Sequence, residues 1–200
     1  MNTYFCPTTK VLPKDFVHLC EQLVLYHIKL YQDMKKMFLL LSLSMIGLLA
    51  QAQENKPPAS PAAKATATVK GKTITIDYGQ PSVKGREIWG KLVPYGQVWR
   101  TGANASTSIE FSADVMLQGK AVPKGKYALY TIPNADQWTI IINKTIAWGA
   151  YTYKEADDVI RVNVPAKKSK AFTEQMTFAV SKKGVISLMW ENVQVDFKVK

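Results

Sequence analysis

The sequence predicts an all-β fold: an antiparallel β-sandwich, Greek-key or jelly-roll-like, with one long ordered loop. Three observations carry that expectation. Apolar and polar residues alternate with period two through short runs after Gln53, the pattern of half-buried strands. Gly, Pro, Asn and charged residues separate those runs at short intervals, which is turn chemistry. No 3.6-residue apolar period follows Gln53; a turn or two around Glu87–Leu92 is the only helix the pattern allows. About nine short strands at this spacing indicate a sandwich or barrel.

The strands follow in order. Lys72–Tyr78 places Ile74, Ile76 and Tyr78 on one face. Thr107–Phe111 places Ile109 and Phe111 inward and Glu110 outward. Val115–Leu117 precedes a Gln118-Gly119-Lys120 turn. Lys126–Ile132 is apolar on both faces, as a central strand is. The preceding Pro123-Lys124-Gly125-Lys126-Tyr127 resembles a tyrosine corner, in which a tyrosine early in a strand bonds to backbone a few residues upstream. Trp138–Asn143 aligns Trp138, Ile140 and Ile142. Val159–Val164 is a strand, followed by Pro165 and a basic loop at Lys167–Lys170. Phe172–Val180 is another. Val185–Trp190 and Val193–Val199 read as a tight hairpin joined by Glu191-Asn192.

The N-terminal part has a different character. Met34-Lys35-Lys36, the 14-residue apolar run Met37–Ala50 and the motif Ala50-Gln51-Ala52 form a signal-peptide pattern. The run is shorter than the ~20 residues a membrane-spanning helix needs. Residues 34–52 are therefore expected to be a signal peptide and residues 1–33 an extension from an upstream start codon. The alternative is that Met1 is the start and Phe16–Tyr31 forms an apolar helix. Residues 53–66, rich in Pro and Ala, read as a flexible spacer, and residues 67–200 as a single β-sandwich domain.

Both cysteines and both histidines fall in the first 27 residues. After cleavage at Ala52 the chain has neither, which excludes a Ser-His-Asp triad, a Cys nucleophile and zinc sites of the usual composition. No phosphate-loop or dinucleotide glycine motif is present. The expectation is no catalytic residues, no metal and no cofactor. The whole chain carries net charge +11. Its basic residues are spread over turns rather than set in a stripe interleaved with aromatics, so nucleic acid is not an expected partner.

The densest chemistry lies in Gly85–Ser108. Two tryptophans, one tyrosine, two arginines and four glycines fall within Gly85–Gly102. The chain has only three arginines, Arg86, Arg100 and Arg161, and draws its other cations from lysine. The planar guanidinium suits bidentate capture of a carboxylate or phosphate; it equally pins a loop to Asp77, Glu87 or Glu110. Trp89, Tyr95 and Trp99 offer faces for stacking a ring ligand or area for a satellite core. Arg86, Tyr95, Trp99, Arg100, Asn104 and Thr107 are the candidate ligand-binding residues, with Asn104 and Thr107 expected to be exposed.

The strings GREIWGKLVPYGQVWRTGANASTSIEF and LQGKAVPKGKYALYTIP resemble the bacterial family known as domain of unknown function 2911, over roughly Pro57 to Lys200. The resemblance implies an exported, single-domain, mostly-β protein of a Gram-negative envelope, periplasmic or secreted, and brings no activity or catalytic residues. The expected function is a non-enzymatic binding module for a small molecule or glycan. Two alternatives stand beside it. One is a carboxylate-dependent hydrolase of envelope carbohydrate using two of Asp77, Glu87 and Glu110. The other is a structural or assembly protein of the envelope.

Overall fold

The computed structural model describes residues 22–23, 25–39 and 59–200. The chain divides into two units, Met1–Lys56 and Pro57–Lys200. In the first, residues 22–23 and 25–39 are helical, and no described helix is long and apolar enough to cross a membrane. Most of the signal-peptide pattern, including the motif at residues 50–52, lies outside the described residues, as does residues 53–58 of the expected spacer.

The second unit is all-β and antiparallel. Among the described residues it holds β1 (Ala62–Val69), β2 (Lys72–Gly79), β3 (Ser108–Phe111), β4 (Val115–Leu117), β5 (Lys120–Val122), β6 (Gly125–Ile132), β7 (Gln137–Asn143), β8 (Asp158–Val180) and β9 (Val185–Lys198). Seven strands form one sheet in the order β1-β2-β3-β6-β7-β8-β9, and β4-β5 form a separate hairpin. The order is a meander with one hairpin excursion between β3 and β6. β6 is the middle strand, which is why its sequence is apolar on both faces.

The sheet curls over itself to make two layers. The second half of β8 leaves β7 and lies against the segment after β2: Met176 N donates to Pro81 O at 2.9 Å and Val83 N to Glu174 O at 2.8 Å. Phe178 N donates to the Tyr78 hydroxyl at 3.1 Å. Between the layers sits the main core, with Ile74, Ile76, Ile109 and Ile140 from one side and Met176, Phe178, Ile186 and Leu188 from the other. A smaller cluster of Ala128, Tyr130 and Ile141 occupies the opposite face of β6 and β7, covered by Val98, Ala150 and Tyr153.

Four local expectations change. β1 begins at Ala62, inside the stretch read as spacer. Its AAKATATV sequence is poor in large apolar residues, and unbroken pairing with β2 from Ala62↔Gly79 to Val69↔Lys72 makes it a strand. The basic loop at Lys167–Lys170 is instead the bend of a single 23-residue strand, with register shifts after Lys168 and Thr173. The expected hairpin at Glu191-Asn192 is an irregularity inside β9, where Glu191 has φ of 53°; a bulge bends a strand without ending it. Glu87–Leu92 is a set of turns, not a helix. The tyrosine corner forms as expected: the Tyr127 hydroxyl donates to Pro123 O at 3.0 Å.

Candidate functional site

The Gly85–Ser108 segment is strapped to the sheet at several points. Trp99 pairs with Thr131 of β6, with its N donating to Thr131 O at 2.7 Å and its O accepting from Thr131 N at 3.0 Å. It thus occupies the β6 edge beyond the end of β3. Gly79 and Gly102 bring the 101–107 turn against β2. A Cβ on Gly79 would stand 2.1 Å from Ala103 O, and one on Gly102 would stand 2.9 Å from Thr107 Oγ1. Only glycine permits so close an approach.

The tryptophans of this segment belong to the main core. Trp89 packs edge-on against Trp99, Trp138 and Trp190, at centroid distances of 6.0, 4.9 and 5.6 Å. Trp99 stacks on Trp190 at 5.9 Å with an interplanar angle of 15°. β7 supplies Trp138 and β9 supplies Trp190, so the loop is nailed to both layers. The satellite-core expectation is corrected to this extent: Trp89 and Trp99 pack on the principal core.

Arg100 follows Trp99 directly, and the turn after it is held in a strained form. Thr101 is fully buried with φ of 57°, a conformation β-branched residues avoid. Its hydroxyl bonds Trp99 O at 3.2 Å and meets Thr131 Oγ1 at 3.1 Å. Thr107 Oγ1 donates to Thr101 O at 2.8 Å, and Thr107 N to Arg100 O at 3.2 Å. These bonds over-determine the backbone around Arg100, the condition under which such strain persists.

A cleft of about 270 Å³ opens beside Arg100, lined among others by Arg86, Trp99, Arg100, Asn104 and Trp190. Four of the six candidate residues therefore meet in one place. Among the described residues, no carboxylate lines it. Arg86 is pinned by Nε to Val83 O at 3.1 Å and by Nη2 to Ser82 O at 2.5 Å. Asn104, exposed as expected, donates from Nδ2 to Ser60 O at 3.0 Å. Among the described residues, Arg100 Nε, Trp190 Nε1 and Trp89 Nε1 are buried with no hydrogen-bond partner; Trp89 does not line the cleft. The alternative that Arg100 pins the loop to Asp77, Glu87 or Glu110 is not met, since its guanidinium pairs with no carboxylate or carbonyl among the described residues.

The other two candidates lie elsewhere. Tyr95 is exposed and lines a separate shallow depression with Asn134, Asp136 and Gln137. Thr107, expected to be exposed, is fully buried and serves the turn. Strand parity carried that signal: Thr107 shares the inward face of Ile109 and Phe111. Trp190 was missed as a cleft residue. Its alternation with Ile186 and Leu188 marks it as core, and nothing local says which surface the core residue reaches.

The candidate carboxylates Asp77, Glu87 and Glu110 do not line one common cleft. Asp77 meets Lys64 at 3.0 Å and Lys126 at 3.7 Å. It lines a broader hollow of about 520 Å³ on the outer face with Ala62, Ala103 and Ile146. That hollow is larger than the Arg100 cleft, but its charged groups already pair with one another. Glu110 is exposed on the same face as Asp77 and does not line the hollow; Glu87 is exposed in the loop. The third arginine is fully engaged. Arg161 Nε donates to Asp158 Oδ2 at 2.5 Å, Nη1 meets Glu155 Oε1 at 3.2 Å, and Nη2 donates to the Tyr153 hydroxyl. Tyr153 in turn donates to Asp158 Oδ2 at 2.7 Å. Burial pushes the Tyr153 hydroxyl up to about 12, opposed by the Arg161 bond and reinforced by the Asp158 carboxylate.

These features define an antiparallel all-β domain with a cationic cleft built on a tryptophan cluster. Residues 60–199 match the family described as "Protein of unknown function (DUF2911)", and the chain belongs to that family. No curated protein and no solved structure matches it.

Proposed function

We propose that the chain is an exported, non-enzymatic binding module that takes a small molecule or a terminal glycan unit in the Arg100 cleft. One observation carries the reading: a rigid turn delivers Arg100, Trp99 and Asn104 to a single concavity with Arg86, and Arg100 is left without an internal partner. A concave site with an aromatic wall and a few convergent polar groups is the usual form of a ligand pocket. At about 270 Å³ the cleft sits just below the ~300–1,000 Å³ of drug-sized sites, so it suits one ring or a chain end.

A glycan array and a metabolite panel, read with the full chain and with Arg100→Gln, test the reading. Binding that Arg100→Gln abolishes is the expected result. Binding unaffected by the substitution, or none across both panels, sinks it.

Export rests on the Met34–Ala52 pattern. The expected mature N-terminus is Gln53, read by N-terminal sequencing of protein recovered from its host. Recovery of the chain with residues 1–33 attached overturns export by this signal.

A further inference from the structure

We infer that the group anchored in the Arg100 cleft is an oxyanion, a carboxylate or a phosphate, carried on a single ring. This deepens the binding reading above and rests on it.

The donor inventory points there. A guanidinium and an indole N–H donate hydrogen bonds and accept none. Arg100 Nε and Trp190 Nε1 are both buried and unpartnered, and both residues line the cleft. Both atoms are sealed from solvent, so the donors open to a ligand are the outer nitrogens of the half-buried Arg100 and of the exposed Arg86. Arg86 spends Nε and Nη2 on backbone carbonyls, which fixes its plane and leaves Nη1 without a partner among the described residues. Two cations thus share a small cleft with no acid in its lining. A negatively charged acceptor supplies both a hydrogen-bond partner and the missing countercharge, whereas a neutral sugar's hydroxyls accept hydrogen bonds but bring no charge.

The arginines themselves sharpen the argument. The chain uses arginine three times against many lysines, and two of the three line this one cleft. The planar fork matches two oxygens of a carboxylate or phosphate, which a lysine ammonium does not. Trp99, half-buried beside Arg100, lines the cleft and supplies apolar contact for the ring that carries the anion. The strained turn at Thr101 holds the backbone of Arg100 in place, so little ordering remains to be done when the ligand arrives.

Calorimetric titration of the full chain with galacturonate, glucose 6-phosphate and galactose tests the inference. An acidic sugar is expected to bind at least tenfold more tightly than galactose, with affinity falling as salt rises. Preference for galacturonate identifies a carboxylate source, and preference for glucose 6-phosphate a phosphate source; either supports the inference. Arg100→Gln is expected to remove the preference and Arg100→Lys to restore it only in part. Galactose binding as tightly as the acids, yet lost in Arg100→Gln, overturns the oxyanion and leaves the cleft reading standing. Binding of acids that survives Arg100→Gln overturns both.

Discussion

Arg161 and Arg100 are the same side chain in opposite settings. Around Arg161, β8 and the 153–158 segment supply Asp158, Glu155 and Tyr153, so the guanidinium is matched by acceptors from its own chain. Around Arg100, the 99–107 turn and β9 supply aromatic walls and, among the described residues, no carboxylate and no hydrogen bond to Nε. The first arrangement closes a loop. The second leaves an electrostatic need for something outside the protein to meet. An arginine's role is therefore read from what its neighbours leave unsatisfied, not from its presence in a loop.

The hardest way to break the contrast is to disturb the backbone that carries Arg100. Gly79→Ala is expected to destabilise by about 3 kcal/mol, because the added methyl falls on Ala103 O and overpacking of this kind costs ~1–3 kcal/mol or more. Urea unfolding measures it, and an unchanged midpoint would show that the turn is not strapped as described. Next is Asp158→Ala. It removes the acceptor shared by Arg161, Tyr153 and Asn143, with an expected loss of about 2 kcal/mol. That is below the ~3–5 kcal/mol of a fully buried pair, because Arg161 is 32% exposed and solvent screens the remainder.

A gentler probe is pH. The Tyr153 hydroxyl is raised from 10.0 to about 12, so its protonated form is favoured in the folded state. Its contribution is fully present below pH 10 and is lost as pH rises through 12. The wild type should therefore lose more stability than Tyr153→Phe across that window in parallel denaturation series; identical slopes would remove Tyr153 from the network. The smallest effect belongs to Arg100. Arg100→Gln should change unfolding stability by no more than about 0.5 kcal/mol, the range of substitutions that break no internal partnership. A loss as large as that of Asp158→Ala would make Arg100 structural and erase the contrast.

Much of this was legible in the residues. The alternation of Ile74, Ile76 and Tyr78, of Trp138, Ile140 and Ile142, and of Val193, Val195 and Phe197 marked inward faces that the fold uses. The irregular, glycine-rich run from Gly85 held the arginines that reach the cleft. Strand continuity was less visible. Pro165 lies in β8 opposite Gln137, and a proline there looks like an end. The strand instead passes from one partner to the next at that point, so the missing N–H does not break it.

What the sequence determined by itself is the all-β class, the tyrosine corner at Tyr127 and the concentration of unusual side chains between β2 and β3. Each is a local property, set by side-chain parity or by neighbours within a few residues. Tertiary structure alone decided that Arg100 Nε has no hydrogen-bond partner among the described residues and that Asn104 shares a cleft with Arg86 and Arg100. It also decided that Trp190 reaches the same cleft from the far end of the chain. The curl of the sheet brings β9 against the 85–108 segment, and a pairing across so long a separation leaves no trace in local periodicity.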